Sequence, residues 1–303
     1  MIRKLLLLAL LPLTVVADSV SFRIENDTLG IPDNKDSEYT HGTQVTYMLD
    51  DSLLFFDNYG FAIQQNMYGP KLDKTDNMVY GEHPYCGYLN FMFIGEQWLD
   101  LDWSVLSIEH RFGLGGVGEH SYAGQTQKYI HKILGCKDPK GWKKWQVRDE
   151  FIAQYDVYAN LNIEVFEENG FNTFIIPYAG IDAGGFKDMT AIGIDLKLGY
   201  DAPRNIGSGK MLSAPKIDNK FKSYFLVGVE GRYVAHDTAI EGGFFKDSPY
   251  TLDARHAVGE FHYGVGVSFD NVSIEFSQYI RSKEYDTNYR KPKYGAITLS
   301  VRF

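Results

Sequence analysis

Strict alternation of apolar and polar residues, over stretches of nine or more, constrains this chain more than any other feature. Ile192, Ile194, Leu196 and Leu198 interleave with Gly193, Asp195, Lys197 and Gly199. Val157, Ala159, Leu161, Ile163 and Val165 do the same, as do Phe261, Tyr263, Val265, Val267 and Phe269. The last stretch sets Ile297, Leu299, Val301 and Phe303 against Thr298, Ser300 and Arg302. Period two places the two sets on opposite faces of a sheet. A sandwich would turn its apolar set inward. A transmembrane barrel turns it outward to lipid and fills the lumen with polar residues and glycine. Three features favour the barrel. The segments have the length of a tilted spanning strand, about nine residues or more. Aromatic residues sit near strand ends, where interfacial girdles form. The chain also stops inside an alternating strand on Phe303, as outer-membrane proteins do. A composition rich in Tyr (21), Phe (20) and Gly (30) agrees with an all-β chain.

The alternation predicts strands at 19–27, 40–50, 60–69, 85–99, 103–114, 149–167, 173–183, 190–201, 222–236, 257–270, 271–284 and 293–303. These make a 12-stranded antiparallel transmembrane β-barrel, an even number that puts both termini on the periplasmic side. Connections 28–39, 70–84, 115–148, 184–189, 237–256 and 285–292 are then extracellular. The stretch 202–221 is too long for a periplasmic turn: either a long loop lies there or the parity fails nearby. In the third extracellular connection, Tyr122, Thr126, Tyr129, Ile130 and Ile133 recur at helical spacing. A short helix over 121–134 is expected, with Ser121 able to cap its start and Gly135 its end.

The first 17 residues read as a secretory signal peptide. Arg3 and Lys4 precede a short apolar run, and Val15 and Ala17 stand at −3 and −1 of a cleavage site. The run is too short for a spanning helix, which needs roughly 20 residues. The expected mature domain is 18–303, a single outer-membrane barrel. A formal charge of −9 becomes more negative once Arg3 and Lys4 are removed. This acidity disfavours nucleic acid as a partner, and no protein partner is evident. Two cysteines exclude a dense disulfide scaffold and a four-cysteine zinc site. Cys86 and Cys136 both fall on the extracellular side by this parity. They could pair after oxidising export or remain two unpaired buried thiols.

Three groups of residues could carry chemistry. Gln127 and His131 lie four apart on the expected helix and share a face, so the amide could orient the imidazole. Glu25-Asn26-Asp27, at the end of the first strand, offers oxygen ligands suited to a hard cation such as calcium, and equally suits a turn. Tyr39-Thr40-His41-Gly42 opens the second strand with a hydroxyl and a glycine, and equally reads as a plain strand entry. The parity brings Asn26, Asp27, Thr40 and the Gln127/His131 helix to one rim. No G-x-S-x-G element is present.

At these residues the chain resembles the LpxR family of lipid A 3′-O-deacylases, outer-membrane enzymes with a twelve-stranded barrel. The matching pieces are ENDT (Glu25 to Thr28), YTHG (Tyr39 to Gly42), PYCG (Pro84 to Gly87) and GxxGxxxxAxxxQxxxH, ending in Gln127 and His131. Gly141-Trp142, QVRDE (Gln146 to Glu150) and GVEGRYVAHD (Gly228 to Asp237) follow in the family's order. The resemblance implies calcium-dependent hydrolysis of the 3′-linked acyl chains of lipid A in the bacterial outer membrane. By it, His131 would be the general base that activates water, and Gln127 would support it. Asn26 and Asp27 would help hold calcium, with Thr40 in the same site. The partners implied are lipopolysaccharide and the bilayer itself.

The chain departs from the family at three points. His41 stands where Asn or a small residue is common. Val117 replaces the Pro often found after Gly116. The spacing from Trp142 to Gln146 is one residue longer than usual. Lys71 and Lys74 could meet lipid A phosphates or be ordinary solvated surface. Other readings of such a barrel are a passive pore, an adhesin working through its loop tips, and an acyl hydrolase of phospholipid at the same rim.

Overall fold

A computed structural model of the chain describes residues 18–31, 39–70, 79–135, 139–207, 221–288 and 291–303. The signal-peptide segment 1–17, Lys71, Lys74 and Cys136 lie outside the described residues. Twelve strands run in chain order: β1 (Ser19–Asn26), β2 (Tyr39–Leu49), β3 (Asn58–Tyr68), β4 (Cys86–Leu101), β5 (Ser104–Val117) and β6 (Glu150–Glu168). β7 (Phe171–Ala183), β8 (Lys187–Tyr200), β9 (Lys222–Asp237), β10 (Ala257–Phe269), β11 (Val272–Arg281) and β12 (Lys293–Arg302) complete the set. Each pairs antiparallel with its neighbours in sequence, and β1 pairs with β12 from Ser19↔Arg302 to Asn26↔Gly295. The sheet therefore closes and leaves no free edge.

The sense of the alternation is that of a membrane barrel. Phe151 and Ile192 are about 70% exposed, at 71% and 70%, and Phe61, Phe91, Val229 and Val265 also face out. Their neighbours Asp195, Lys197, Glu230 and Arg232 are buried inside the barrel. Burying so many charges in the lumen is tolerable only when they are paired and hydrogen-bonded. Arg23 meets Glu25 at 3.0 Å, the Tyr279 hydroxyl at 2.9 Å and Thr298 at 3.2 Å. Arg281 meets Glu260 at 2.7 Å and Tyr294 at 2.8 Å, and His262 meets Asp195 at 2.9 Å. Side chains crossing the bore fill it, leaving a polar cavity of about 140 Å³ bordered by Asn66, Arg111, Asp156 and Lys187.

The β8–β9 connection explains why 202–221 looked too long for a turn. The described part, 201–207, bends into the barrel. The Asn205 carbonyl accepts from Ser107 at 2.6 Å and from the Asn162 amide at 3.1 Å. The Asn205 amide donates to Asp195 at 2.8 Å, and Lys197 donates to the Pro203 carbonyl at 3.1 Å. Gly207, with φ +71°, takes a left-handed conformation in which a Cβ would lie 2.3 Å from a Glu109 carboxylate oxygen. The parity holds, and the described residues of this connection turn inward. Residues 208–220 lie outside the described residues.

The odd-numbered connections gather at one end, the loop rim. There the β5–β6 connection holds helix α1 (Ala123–Leu134) and the short helix α2 (Trp142–Trp145), and the β9–β10 connection holds α3 (Thr238–Glu241). The start of α1 differs from expectation. A 3-10 turn over Glu119–Ser121 precedes it, and Tyr122, in a left-handed conformation, is the residue before the first helical position. The Ser121 hydroxyl donates to the Gly118 carbonyl at 2.5 Å, and its oxygen accepts from the Ala123 N–H, the first of the helix, at 3.4 Å. Gly135 ends the helix as expected, with φ 71° and its N–H on the His131 carbonyl.

Candidate functional site on the outer wall of the barrel

The register places the sequence-predicted residues relative to one another. Asn26 pairs with His41, His41 with Met67, and Met67 with Gly87. Residues directly opposite in a sheet share a face. On β3 that face is the one carrying the exposed Phe61 and Ile63, so the whole row faces outward. The row below it holds Ile24, Thr43, Gln65 and Leu89. Near the rim, then, the outer wall carries Asn26, His41, Thr43 and Gln65 where the barrel pattern calls for apolar side chains. Three strand spacings of about 4.8 Å separate Asn26 from Gly87 along this row.

Helix α1 lies against the same wall, on β3 and β4. Gly87 makes this approach possible. A Cβ there would stand 2.1 Å from the Ser121 hydroxyl and 2.4 Å from the Ala123 methyl. Met67 faces outward yet is fully buried, in a cluster with Tyr85, Ala123 and Trp142. The Gln65 amide donates to the Ser121 carbonyl at 2.6 Å and fixes the helix start to β3. The far end of the excursion is held to Tyr85, whose carbonyl accepts from the Val147 N–H at 2.8 Å.

His131 is half-buried on the last turn of α1. Gln127, one turn earlier, accepts a hydrogen bond from the Trp142 indole N–H. An indole nitrogen only donates, so the Gln127 oxygen is turned to Trp142 and its NH₂ is left for other acceptors. Gln127 therefore has a partner on α2 that the i, i+4 spacing did not foretell.

At the end of β1, Asn26 caps a 3-10 turn over Asp27–Leu29. Its oxygen accepts from the Thr28 N–H at 2.8 Å and from the Thr28 hydroxyl. Its amide donates to the Thr40 carbonyl at 2.9 Å and lies 3.5 Å from His41 Nδ1. Thr40 sits where the β2–β3 register shifts, between Tyr39 and His41, as a bulge at the mouth of the strand. Asp27 is buried, at 2% exposure. Asn26, Asp27 and Thr40 thus meet at one corner of the rim. Among the described residues no group of three or more His, Cys, Asp or Glu is arranged to hold a metal ion. The oxygen-bearing side chains this corner has to offer are those of Asp27, Thr28 and Thr40, beside the Thr40 carbonyl. Such a set suits a hard cation, and its one formal charge implies weak binding.

His41, Thr43, Gln65 and Trp142 complete the site's surroundings. The His41 Nε2 lies 2.7 Å from the Thr43 hydroxyl. The available signal was the pattern itself: polar residues at outward positions of β2 and β3. The remaining motif residues build the scaffold. Glu150 accepts from the N–H groups of Phe245 and Lys246, at 2.9 and 2.6 Å, and Asp237 caps α3 through the Ala239 N–H at 3.0 Å. Cys86 is a buried free thiol.

A closed twelve-stranded barrel with lipid-facing apolar residues defines an outer-membrane protein. A model of the family described as Outer membrane protein LpxR matches residues 5–303, and the chain belongs to that family. The structure of LpxR from Salmonella typhimurium superposes with a TM-score of 0.80 at 18% sequence identity, covering 94% of this chain and all (100%) of that one. The beta domain of the Bordetella autotransporter BrkA is similar at 10% identity, covering 95% of this chain and 100% of that one, with a TM-score of 0.49. No curated protein matches the chain in sequence.

Proposed function

We propose that this protein is a lipid A deacylase of the outer membrane, hydrolysing the 3′-linked acyl ester with water. Family membership supports the reaction class. The observation that carries the reading is the polar row on the outer wall beside α1. A site facing lipid suits a substrate that lies in the membrane, and it argues against a pore, as does the filled lumen. By parity the loop rim faces the extracellular leaflet, where lipid A resides.

In this reading the His131 imidazole takes the proton of a water molecule as its oxygen attacks the ester carbonyl carbon. It returns that proton to the sugar oxygen as the carbon–oxygen bond breaks, releasing the fatty acid and leaving a free 3′ hydroxyl. The Gln127 NH₂, with its oxygen fixed by Trp142, is a preset donor for the carbonyl oxygen as charge develops there. Gln65 and Gly87 hold α1 against the wall. Asp27 and Thr40 would hold calcium, with Asn26 holding the corner together through Thr28 and the Thr40 carbonyl, and the ion would polarise the ester carbonyl.

The test is mass spectrometry of lipid A incubated with detergent-solubilised protein, with calcium or with a chelator. Loss of the 3′ acyl mass is expected for wild type with calcium. It is expected to vanish for His131→Ala, and for Asp27→Ala at low calcium. An unchanged spectrum from folded wild-type barrel across several divalent ions rejects the reading.

A further inference from the structure

The β5–β6 excursion has a charge opposite to that of the chain. Among its described residues, between Val117 and Glu150, there are six Lys and Arg and two acids, Glu119 and Asp149, in a protein whose net charge is −9. Lys132, Lys140, Lys143, Lys144 and Arg148 are all exposed. Asp149 is engaged within the excursion, and Glu150, the first residue of β6, is engaged outside it. Asp149 binds His120 through its N–H at 3.0 Å and its ring at 3.1 Å, and Glu150 binds the β9–β10 connection.

The same excursion carries an apolar edge. Tyr122, Tyr129 and Ile133 are 57%, 54% and 65% exposed. At 100° per residue Tyr129 and Ile133 fall within about 40° of one another around α1, and the exposed Tyr122 stands at its start. Ala123 and Gln127 face the barrel and α2, whereas Lys132 falls on the side of the helix away from them. Lys144 lies 4.8 Å over the Trp145 ring. A helix with an apolar edge, a lysine face and a position against the outer wall of a barrel has the form of an interfacial helix. Tyr and Trp settle at the headgroup level, and lysine stems reach from there to phosphate.

We propose that this excursion is a docking surface for the phosphate groups of the glycolipid in the outer leaflet. The Tyr122–Tyr129–Ile133 edge enters the boundary of the acyl chains, and Lys132, Lys143 and Lys144 take the phosphates. The occupant follows from charge complementarity and from the surface lying beside lipid rather than over the filled lumen. The assignment of glycolipid rather than another anionic lipid rests on the deacylase reading.

The experiment measures lipid binding to the full barrel in detergent micelles, using the fluorescence of Trp142 and Trp145. The ligands are lipid A with both phosphates, the same lipid dephosphorylated, and phosphatidylglycerol. The variants are K132E/K143E/K144E and the milder K132Q/K143Q/K144Q, each checked for the heat-modifiable gel migration of a folded barrel. The Glu variant is expected to bind phosphorylated lipid A at least fivefold more weakly, the Gln variant less so. Both should bind the dephosphorylated lipid within twofold of wild type. Equal losses for both forms of lipid A, or no loss with the phosphorylated form, overturn the proposal. Wild-type affinity for phosphatidylglycerol equal to that for lipid A also overturns it. Deacylation measured on the same preparations separates the two readings. Lysine-dependent binding without ester cleavage ends the deacylase reading alone. Cleavage with an unaltered KM in the charge variants ends this one alone.

Discussion

The Trp142 indole donates its one hydrogen bond to the carbonyl oxygen of Gln127, and so decides which end of that amide faces away. Trp142→Phe keeps most of the packing on Met67 and removes the donor. A lost hydrogen bond of about 1 kcal/mol corresponds to roughly a fivefold change. We expect kcat for deacylation to fall by about that factor with KM little changed and the barrel's melting temperature within a few degrees. Unchanged kcat would show that the Gln127 amide is not set by this contact.

Gly87 carries the approach of α1 to the wall. Gly87→Val would place side-chain atoms where Ser121 and Ala123 now stand. The strand can keep its ladder, because valine suits a β-strand. The expected outcome is a folded barrel, seen by heat-modifiable migration, with deacylase activity reduced at least tenfold and α1 open to protease. Retained activity would mean that the helix need not touch β4.

The corner of Asn26, Asp27 and Thr40 has a single formal charge. Asp27→Asn should raise the calcium concentration needed for half-maximal activity by tenfold or more, and excess calcium should restore part of the rate. Chelation of wild type should abolish activity reversibly. An Asp27→Asn protein with wild-type calcium dependence would move the metal away from this corner.

Glu284, in the β11–β12 connection, offers a pH test. Burial acts to raise its carboxyl, but Arg281, Lys187, Arg232 and His83 outweigh burial and hold it below its ordinary value of 4.5. The folded state therefore favours the carboxylate. That contribution is complete above the unfolded value and fades as pH falls through the lower folded one. Glu284→Gln should destabilise the barrel at pH 7 by roughly 1.5–3 kcal/mol in denaturant unfolding, and the gap should narrow as pH falls below the ordinary value of 4.5 and through the lower folded one. A gap that persists in acid would assign the effect to packing.

All twelve strands were legible within three residues at each end, because a lipid-facing wall enforces alternation along every strand. The helix over 121–134 was legible from its spacing, apart from its start, where a 3-10 turn over Glu119–Ser121 delays the first helical residue to Ala123 while the Ser121 oxygen still accepts from the Ala123 N–H. The convergence of Asn26, Asp27, Thr40 and α1 at one rim followed from parity alone. Parity could not say that α1 lies on the outside of the barrel. That depends on Gly87 and Met67, whose meaning appears only when β3 and β4 are in register. Nor could it say that residues 201–207 fold inward, since Asn205 finds its partners on β5, β6 and β8. The partner of Gln127 was hidden for the same reason: Trp142 is distant in sequence and adjacent only after both helices lie on the wall.

The outward direction of the Asn26–His41–Gln65 patch has a kinetic consequence. A molecule that meets this patch from within the leaflet arrives by diffusion in two dimensions. Encounter frequency then depends on how many such molecules occupy each unit of membrane area, and the bulk amount is irrelevant. Spreading a fixed quantity of substrate through more inert lipid would slow turnover by surface dilution alone, with every contact in the protein unchanged.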